Sequence, residues 1–137
     1  MREADLISIL FIHGLTGDRK STWTYEPSSP FGKKVFWPKD LLSKDLPNSR
    51  IITFGYDADI VNLLSPASQN CIGDHARNLL NYVTNRRDNS NTSDRPLLIV
   101  AHSLGGLVAE DVSDYTFFVI AQPGYCTGLL SIGHTLL

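Results

Sequence analysis

Ser103 stands where the sequence predicts that a buried strand breaks into a helix. An apolar run over residues 97–101 precedes it, and small residues lie two positions away on either side, Ala101 before and Gly105 after. This is a G-x-S-x-G motif with alanine at its first position, and it predicts a strained turn that exposes the serine hydroxyl as a nucleophile. The amide of Leu104 would then face the oxyanion of a tetrahedral intermediate. The alternative is an ordinary strand–glycine–helix turn with an incidental serine.

A second motif, His13-Gly14-Leu15, lies far upstream and directly follows another apolar run, residues 6–12. In enzymes with a serine at such a turn, the loop after an earlier strand supplies the second oxyanion donor. Gly14 lets the backbone pass close to a substrate, and the amide of Leu15 is the predicted donor. His13 and His102 are interpreted as residues that support the two turns, rather than as the general base. The alternative is a glycine-rich loop without chemistry.

Apolar runs and helical patterns alternate along the chain and would position these motifs. The predicted strands cover residues 6–12, 50–54 and 97–101, and the predicted helices cover 36–42, 72–87 and the segment after Ser103. This alternation is typical of an α/β protein, a three-layer sandwich with helices on both faces of a mainly parallel sheet. Ligands bind at the carboxyl ends of the strands in such sheets, so both motifs are expected at one rim.

The clearest helical signal lies in residues 72–87, where apolar residues recur on one stripe. Arg86 and Arg87 at its end favour the helix dipole. Residues 21–32, rich in Pro and Ser, are predicted to be a surface connection, and residues 88–94 a solvated polar loop. The stripe consists of Ile72, Ala76, Leu79, Leu80 and Val83.

The composition indicates one soluble domain. The chain has 137 residues, of which 42% are hydrophobic and 19% charged, with 12 Lys and Arg against 14 Asp and Glu. A chain of this length can bury a sizeable core. The near-balance of charge predicts no broad attraction to nucleic acid or to an anionic membrane. The apolar run near the N terminus is too short for a signal peptide or a membrane span.

The two cysteines, Cys71 and Cys126, lie far apart and lack the spacing of a metal site. They are interpreted as free thiols in a reducing compartment, which predicts a cytoplasmic location. We expect neither a metal nor a cofactor.

Five stretches together resemble a known family. The chain is similar to the α/β-hydrolase domain of lipase-like, serine active site-containing proteins, as found in fungal N-terminal hydrolase domains ahead of NACHT or repeat modules. The resemblance covers about three-quarters of the chain, and alanine is common in that family at the position of Ala101. The matching stretches are residues 11–18, 22–24, 36–42, 50–57 and 100–108.

The resemblance implies a serine esterase or lipase with Ser103 as nucleophile and the amides of Leu15 and Leu104 as oxyanion donors. Its substrate would be a small-molecule or lipid ester. Some family members associate with mitochondria or the endoplasmic reticulum, which is the alternative location.

The match stops near Asp111, before the residues that would complete a catalytic triad. In this fold the acid and the histidine follow the serine in the chain. Residues 5–111 are therefore interpreted as the N-terminal part of an α/β-hydrolase domain, and residues 112–137 as a divergent tail. Asp111 or Asp114 could serve as acid with His134 as base. The alternative is a retained intron, because Val-Ser at 112–113 can be encoded by GTGAGT, which resembles a splice donor.

Two functional interpretations remain open. The first is a serine hydrolase of carboxylic esters, in which Ser103 attacks the carbonyl and a histidine takes its proton. The second is a catalytically inactive, truncated hydrolase fragment, or an interaction or signalling module that lacks the acid and histidine. Partner modules are not indicated by the sequence.

Overall fold

The computed structural model of the protein describes residues 7–56, 68–110, 112, 118–119 and 130–131. Its strands are β1 (Ile7–Ile12), β2 (Thr24–Tyr25), β3 (Val35–Phe36), β4 (Ser49–Phe54), β5 (Leu97–Ala101), β6 (Phe118–Val119) and β7 (Leu130–Ser131). Its α-helices are α1 (Ser43–Asp45), α2 (Ser68–Asp88) and α3 (Gly105–Glu110). A 3-10 turn covers Ser21–Trp23, and a π-helical segment covers Pro38–Leu42.

Three strands form a parallel sheet in the order β4-β1-β5. Ile12, the last residue of β1, pairs with Phe54 of β4 and with Ala101 of β5. The carboxyl ends of the three strands therefore lie side by side at one edge. The central strand is buried on both faces, which explains why its sequence is an unbroken apolar run rather than an alternating one. This parallel sheet with helices is compatible with the α/β class that the sequence predicts.

The two faces of β1 pack against different parts of the chain, because successive side chains of a strand point to opposite faces. Leu10 and Ile12 lie in one core cluster with residues of α2 and α3. Ile9 and Phe11 lie in a second cluster with residues of the connection between β1 and β4. Helices thus cover one face of the sheet, and this connection covers the other.

Helix α2 packs through the predicted apolar stripe. Ala76, Leu79 and Val83 are at most 7% exposed, and Ile72 and Leu80 pack against the same cluster. The helix runs from Ser68 to Asp88, longer at both ends than the predicted 72–87. Its length does not make it a membrane helix: within the described ranges, no helix is both long and apolar enough to cross a bilayer.

Arg87, in the last turn of α2, is buried and hydrogen-bonded to the loop that follows the helix. Its side chain is only 9% exposed, and its Nη2 donates to the carbonyl oxygens of Ser93 and Arg95. Burial lowers the pKa of this guanidinium below its usual value. The charge is kept inside the fold because backbone carbonyls accept its hydrogen bonds, and these bonds hold the polar loop that leads into β5.

The connection between β1 and β4 is more ordered than the surface loop that the sequence predicts over 21–32. Trp23 is 3% exposed and lies edge-on to Phe11, with ring centroids 5.0 Å apart. Strands β2 and β3 form a small antiparallel hairpin. The prediction missed it because each strand has two residues, and the burial of Trp23 depends on contact with the distant sheet.

The helix predicted over 36–42 begins later, at Pro38, with Phe36 in β3. The amide of Phe36 donates to Asp40 Oδ2 at 2.9 Å, so Phe36 lies before the helical segment and is held by a side chain within it. Proline at the first helical position agrees with the prediction, since that position needs no amide donor. The helical path then continues through α1 to Asp45.

Of the residues that follow α3, the structure describes 112, 118–119 and 130–131. Val112 is 5% exposed and belongs to the core cluster formed by the sheet and α2. Within the divergent tail, β6 pairs antiparallel with β7. The predicted acids and base, Asp111, Asp114 and His134, lie outside the described residues, as do the side chain of Cys71 and the whole of Cys126.

Candidate functional site

Ser103 occupies a left-handed backbone conformation, with φ 52°, at the turn between β5 and α3. Such a conformation costs a non-glycine residue about 1–2 kcal/mol and persists only where surrounding contacts impose it. The His102 amide donates to the carbonyl oxygen of Ile12 at 3.0 Å, which ties the end of β5 to β1. The Gly105 amide donates to the carbonyl oxygen of His102 at 3.0 Å and begins the helical path. Ser103 is exposed.

The loop after β1 touches this turn directly, and Gly14 is the point of contact. A Cβ atom on Gly14 would lie 2.6 Å from the carbonyl oxygen of His102 and 2.7 Å from Ser103 Cβ. No side chain fits at these distances, so glycine is required for the two segments to approach. The predicted His-Gly motif and the predicted serine turn are therefore neighbours at the carboxyl edge of the sheet.

Gly105 allows a second close approach, between the start of α3 and the end of β1. A Cβ atom there would lie 2.5 Å from the carbonyl oxygen of His13 and 2.6 Å from that of Ile12. Ala101, two residues before the serine, is 1% exposed and belongs to the core cluster. Gly105 thus permits the close approach of α3 to the end of β1.

The two predicted donor amides have no hydrogen-bond acceptor within the described part of the chain. Among the hydrogen bonds of the described residues, none uses the amide of Leu15 or of Leu104 as its donor. The loop that contains Leu15 turns back at Thr16, with φ 55°, and the Gly17 amide donates to the carbonyl oxygen of Gly14 at 3.2 Å. Each amide follows the carboxyl end of a strand, that of Leu15 after β1 and that of Leu104 after β5.

His13 is completely buried, and both of its ring nitrogens are engaged. Nε2 accepts a hydrogen bond from the Tyr56 amide at 3.2 Å, and Nδ1 lies 2.9 Å from the carbonyl oxygen of Gly14. Because Nε2 accepts, the proton of the neutral ring is on Nδ1 and is donated to Gly14. A ring engaged in this way has no free nitrogen to take a proton from Ser103. The structure places His13 as a support of the loop.

Tyr56 follows β4 and contacts His13 by three routes, none of which the sequence indicated. The Tyr56 amide donates to His13 Nε2, and the Tyr56 hydroxyl donates to the His13 carbonyl oxygen at 2.9 Å. The two rings also stack, with centroids 4.5 Å apart and an angle of 15° between their planes. Burial raises the pKa of Tyr56 to about 12. The Tyr56 ring has two further aromatic neighbours, Phe54 with its centroid at 6.0 Å and His75 with its centroid at 4.7 Å.

His102 lies beside the predicted nucleophile and is half-buried. Its ring stands nearly perpendicular to that of Trp23, with centroids 6.3 Å apart. Trp23 also contacts Trp37 edge-on at 6.0 Å. The buried Trp23 therefore packs against both Trp37 and His102.

Asp18 holds the far end of the loop that follows β1. Its carboxylate accepts hydrogen bonds from the amides of Lys20 and Ser21, at 2.7 and 2.9 Å, and from the Ser21 hydroxyl. These bonds lower the pKa of Asp18 to about 2. The sequence carries a local signal for this turn, because an aspartate followed by serine three positions later is typical of a side-chain-capped turn.

The described part of the chain does not complete a catalytic triad. No described residue forms a hydrogen bond with Ser103 Oγ. Nor do the described residues contain a group of three histidine, cysteine or carboxylate side chains that could hold a metal ion. Within the described ranges, the site thus consists of a serine, two amides without hydrogen-bond partners, and the residues that pack around them.

The fold and the site define an α/β protein with a serine at a strained strand-to-helix turn. The chain is similar to vertebrate proteins named Protein SERAC1. It is 30% identical to the mouse protein and 31% identical to the human protein over 114 residues, and 28% identical to the zebrafish protein over 116 residues. Each alignment covers 74% of this chain and 17% of the relative.

The chain therefore matches a small part of these much longer relatives. No protein-family model matches the chain, and no solved structure matches it. The resemblance to fungal NACHT-associated hydrolase domains stays a prediction.

Proposed function

We propose that this chain carries the nucleophile and the oxyanion donors of a serine hydrolase that acts on carboxylic esters, within an α/β-hydrolase fold. The observation that carries the proposal is the left-handed turn at Ser103, which exposes the serine at the carboxyl edge of a parallel sheet. A serine held at a costly φ is expected where function requires it. The sequence resemblance to lipase-like hydrolases supports the same assignment.

In the proposed reaction, Ser103 Oγ attacks the ester carbonyl carbon. The O–H bond of the serine breaks, a bond forms between Oγ and the acyl carbon, and the alcohol leaves with a proton. The amides of Leu15 and Leu104 stabilise the negative oxygen of the tetrahedral intermediate. Water then releases the acid and restores the serine.

This reaction needs a base, and His13 is unsuited to that role because both of its ring nitrogens are engaged. The proposal therefore requires an acid and a base outside the described residues.

The second candidate function is an inactive hydrolase fold that serves as a binding module. The specific observation in its favour is that Ser103 Oγ has no hydrogen-bond partner among the described residues. Without a base in contact, the hydroxyl remains a weak nucleophile. The two candidates make opposite predictions for covalent labelling.

The deciding experiment is reaction of the folded chain with an alkyl fluorophosphonate, followed by intact mass measurement and peptide mapping. We expect a single adduct on Ser103 that Ser103→Ala abolishes. Ser28→Ala is the matched control, because Ser28 is exposed and lies far from Ser103 in the chain. It should label as the wild type does. A cooperatively folded protein without any adduct would instead support the binding module.

A further inference from the structure

We infer that Tyr56 is a positioning residue for the oxyanion-binding loop, and that its contacts with His13 fix the direction in which the Leu15 amide points. The inference rests on the function proposed above and adds a residue that lies outside the His-Gly motif and the serine turn. Tyr56 belongs to a different strand connection from either motif, so it links β4 to the loop that follows β1.

The first step is the restraint on His13. Its main chain is held at the carbonyl oxygen by the Tyr56 hydroxyl, at 2.9 Å. Its side chain is held at Nε2 by the Tyr56 amide, at 3.2 Å, and across its face by the stacked phenol ring, at 4.5 Å. One residue thereby restrains both the backbone and the ring of a completely buried histidine.

The second step is the choice of tautomer. Because the Tyr56 amide donates to Nε2, the single proton of the neutral ring must be on Nδ1. Nδ1 then donates to the carbonyl oxygen of Gly14, at 2.9 Å. The histidine therefore transmits the restraint from Tyr56 to the next peptide group along the loop.

The third step follows from the planarity of the peptide bond. The carbonyl of Gly14 and the amide N–H of Leu15 belong to one rigid trans unit and point in opposite directions. The Gly14 carbonyl oxygen accepts from His13 Nδ1 on one side and from the Gly17 amide, at 3.2 Å, on another. Fixing this oxygen fixes the Leu15 N–H, which has no partner within the described structure.

The Tyr56 hydroxyl is suited to this role because burial raises its pKa to about 12, so it stays a donor throughout the ordinary pH range. The carbonyl oxygen that it holds also faces Gly105, because a Cβ atom built on Gly105 would lie 2.5 Å from it. The hydroxyl bond therefore keeps that carbonyl in register with the start of α3.

The test compares Tyr56→Phe with Tyr82→Phe in the complete chain. Each removes one phenol oxygen, and both rings contact Phe54, but the Tyr82 side chain is more than one-third exposed and makes no hydrogen bond among those described. The rate of fluorophosphonate labelling at Ser103 gives kinact and KI. Loss of an oxyanion donor costs about 100- to 1000-fold in rate, so misdirecting one is expected to lower kinact about tenfold. KI and the final labelled fraction should not change.

Several outcomes would overturn the inference. If Tyr56→Phe keeps the wild-type kinact, as Tyr82→Phe should, the hydroxyl does not position the loop. If only the final labelled fraction falls, Tyr56 stabilises the fold and nothing more. Labelling of wild type that Ser103→Ala does not remove would refute the proposed function itself, and this inference with it.

A second measurement does not depend on reactivity. In ¹⁵N-labelled protein, Tyr56→Phe should shift the amide resonance of Leu15 while that of Leu104 stays in place. Tyr82→Phe should move neither. An unmoved Leu15 resonance would refute the positioning role even if the serine proves reactive.

Discussion

Replacing Gly105 by alanine should destabilise the protein, whereas the same change at Gly106 should stabilise it. Both glycines lie in the first turn of α3. A Cβ on Gly105 would lie 2.5 Å from the His13 carbonyl oxygen and 2.6 Å from that of Ile12. A Cβ on Gly106 would have nothing within 4 Å. The same substitution at two adjacent positions of one helix should therefore have opposite effects on packing.

The magnitude follows from the size of the clash. Real Cβ atoms essentially never approach within 3.0 Å of such neighbours, so α3 and β1 must separate by about 0.5 Å. The obstructing atoms are backbone carbonyls next to side chains that are fully buried, and they cannot rotate away. Overpacking of this kind costs about 3 kcal/mol, from which a gain in helix propensity of up to about 1 kcal/mol is subtracted. The net loss for Gly105→Ala is about 2 kcal/mol.

Urea unfolding followed by circular dichroism measures the difference. With a slope of about 2 kcal/mol per molar urea, Gly105→Ala should lower the unfolding midpoint by about 1 M, and Gly106→Ala should raise it by up to about 0.5 M. The slope itself should stay the same for both. Equal midpoints for the two variants would refute the reasoning, because they would mean that β1 and α3 are not in contact at Gly105.

Three further predictions concern the strained turn, the loop carboxylate and the core. Ser103→Gly should abolish labelling, as Ser103→Ala should. Its free energy of unfolding should nevertheless be about 1 kcal/mol higher than that of Ser103→Ala, because only glycine adopts the positive φ without strain. Thermal unfolding of the two variants measures this difference. The folded pKa of Asp18, about 2, is below its ordinary value of 3.8, so its contribution to stability is present above pH 3.8 and is lost as the pH falls toward 2. Thermal unfolding of wild type and Asp18→Asn should therefore converge over that interval, and a constant difference would contradict the assignment. Leu79→Ala, at a fully buried position, should cost about 2–5 kcal/mol. Leu107→Ala, at a half-exposed position, should stay within about 0.5 kcal/mol of wild type in the same urea experiment.

Local sequence patterns were sufficient to predict the strands of the parallel sheet and the helix α2 that packs against it. The apolar runs that end at Ile12 and Ala101 became parallel strands, and the stripe on α2 became its buried face. These elements are predictable because strand and helix periodicities are properties of neighbouring residues. The turn at Ser103 was predictable for a related reason, since a strand can pass into a helix at such a point only with small flanking residues.

The connection between β1 and β4 was predicted less well. Its residues 21–32 are polar and rich in proline, which indicates a loop, but Trp23 is buried against Phe11 of the sheet. That contact joins residues on different elements, and no periodic pattern records it. Arg87 gives a similar case: its sequence position indicates a solvated helix end, while the fold encloses it with the carbonyls of the following loop.

The sequence by itself indicated which groups could carry the proposed chemistry: a serine between small residues, and amides that follow glycine or serine in two turns. Only the tertiary structure decided how these groups meet. The parallel register of β1 with β5 brings Gly14 against Ser103, and the register of β1 with β4 brings Tyr56 onto His13. The physical reason is that the kind of functional group depends only on residue type and on the local turn. The direction of the Leu15 amide depends instead on hydrogen bonds between segments that are far apart in the chain.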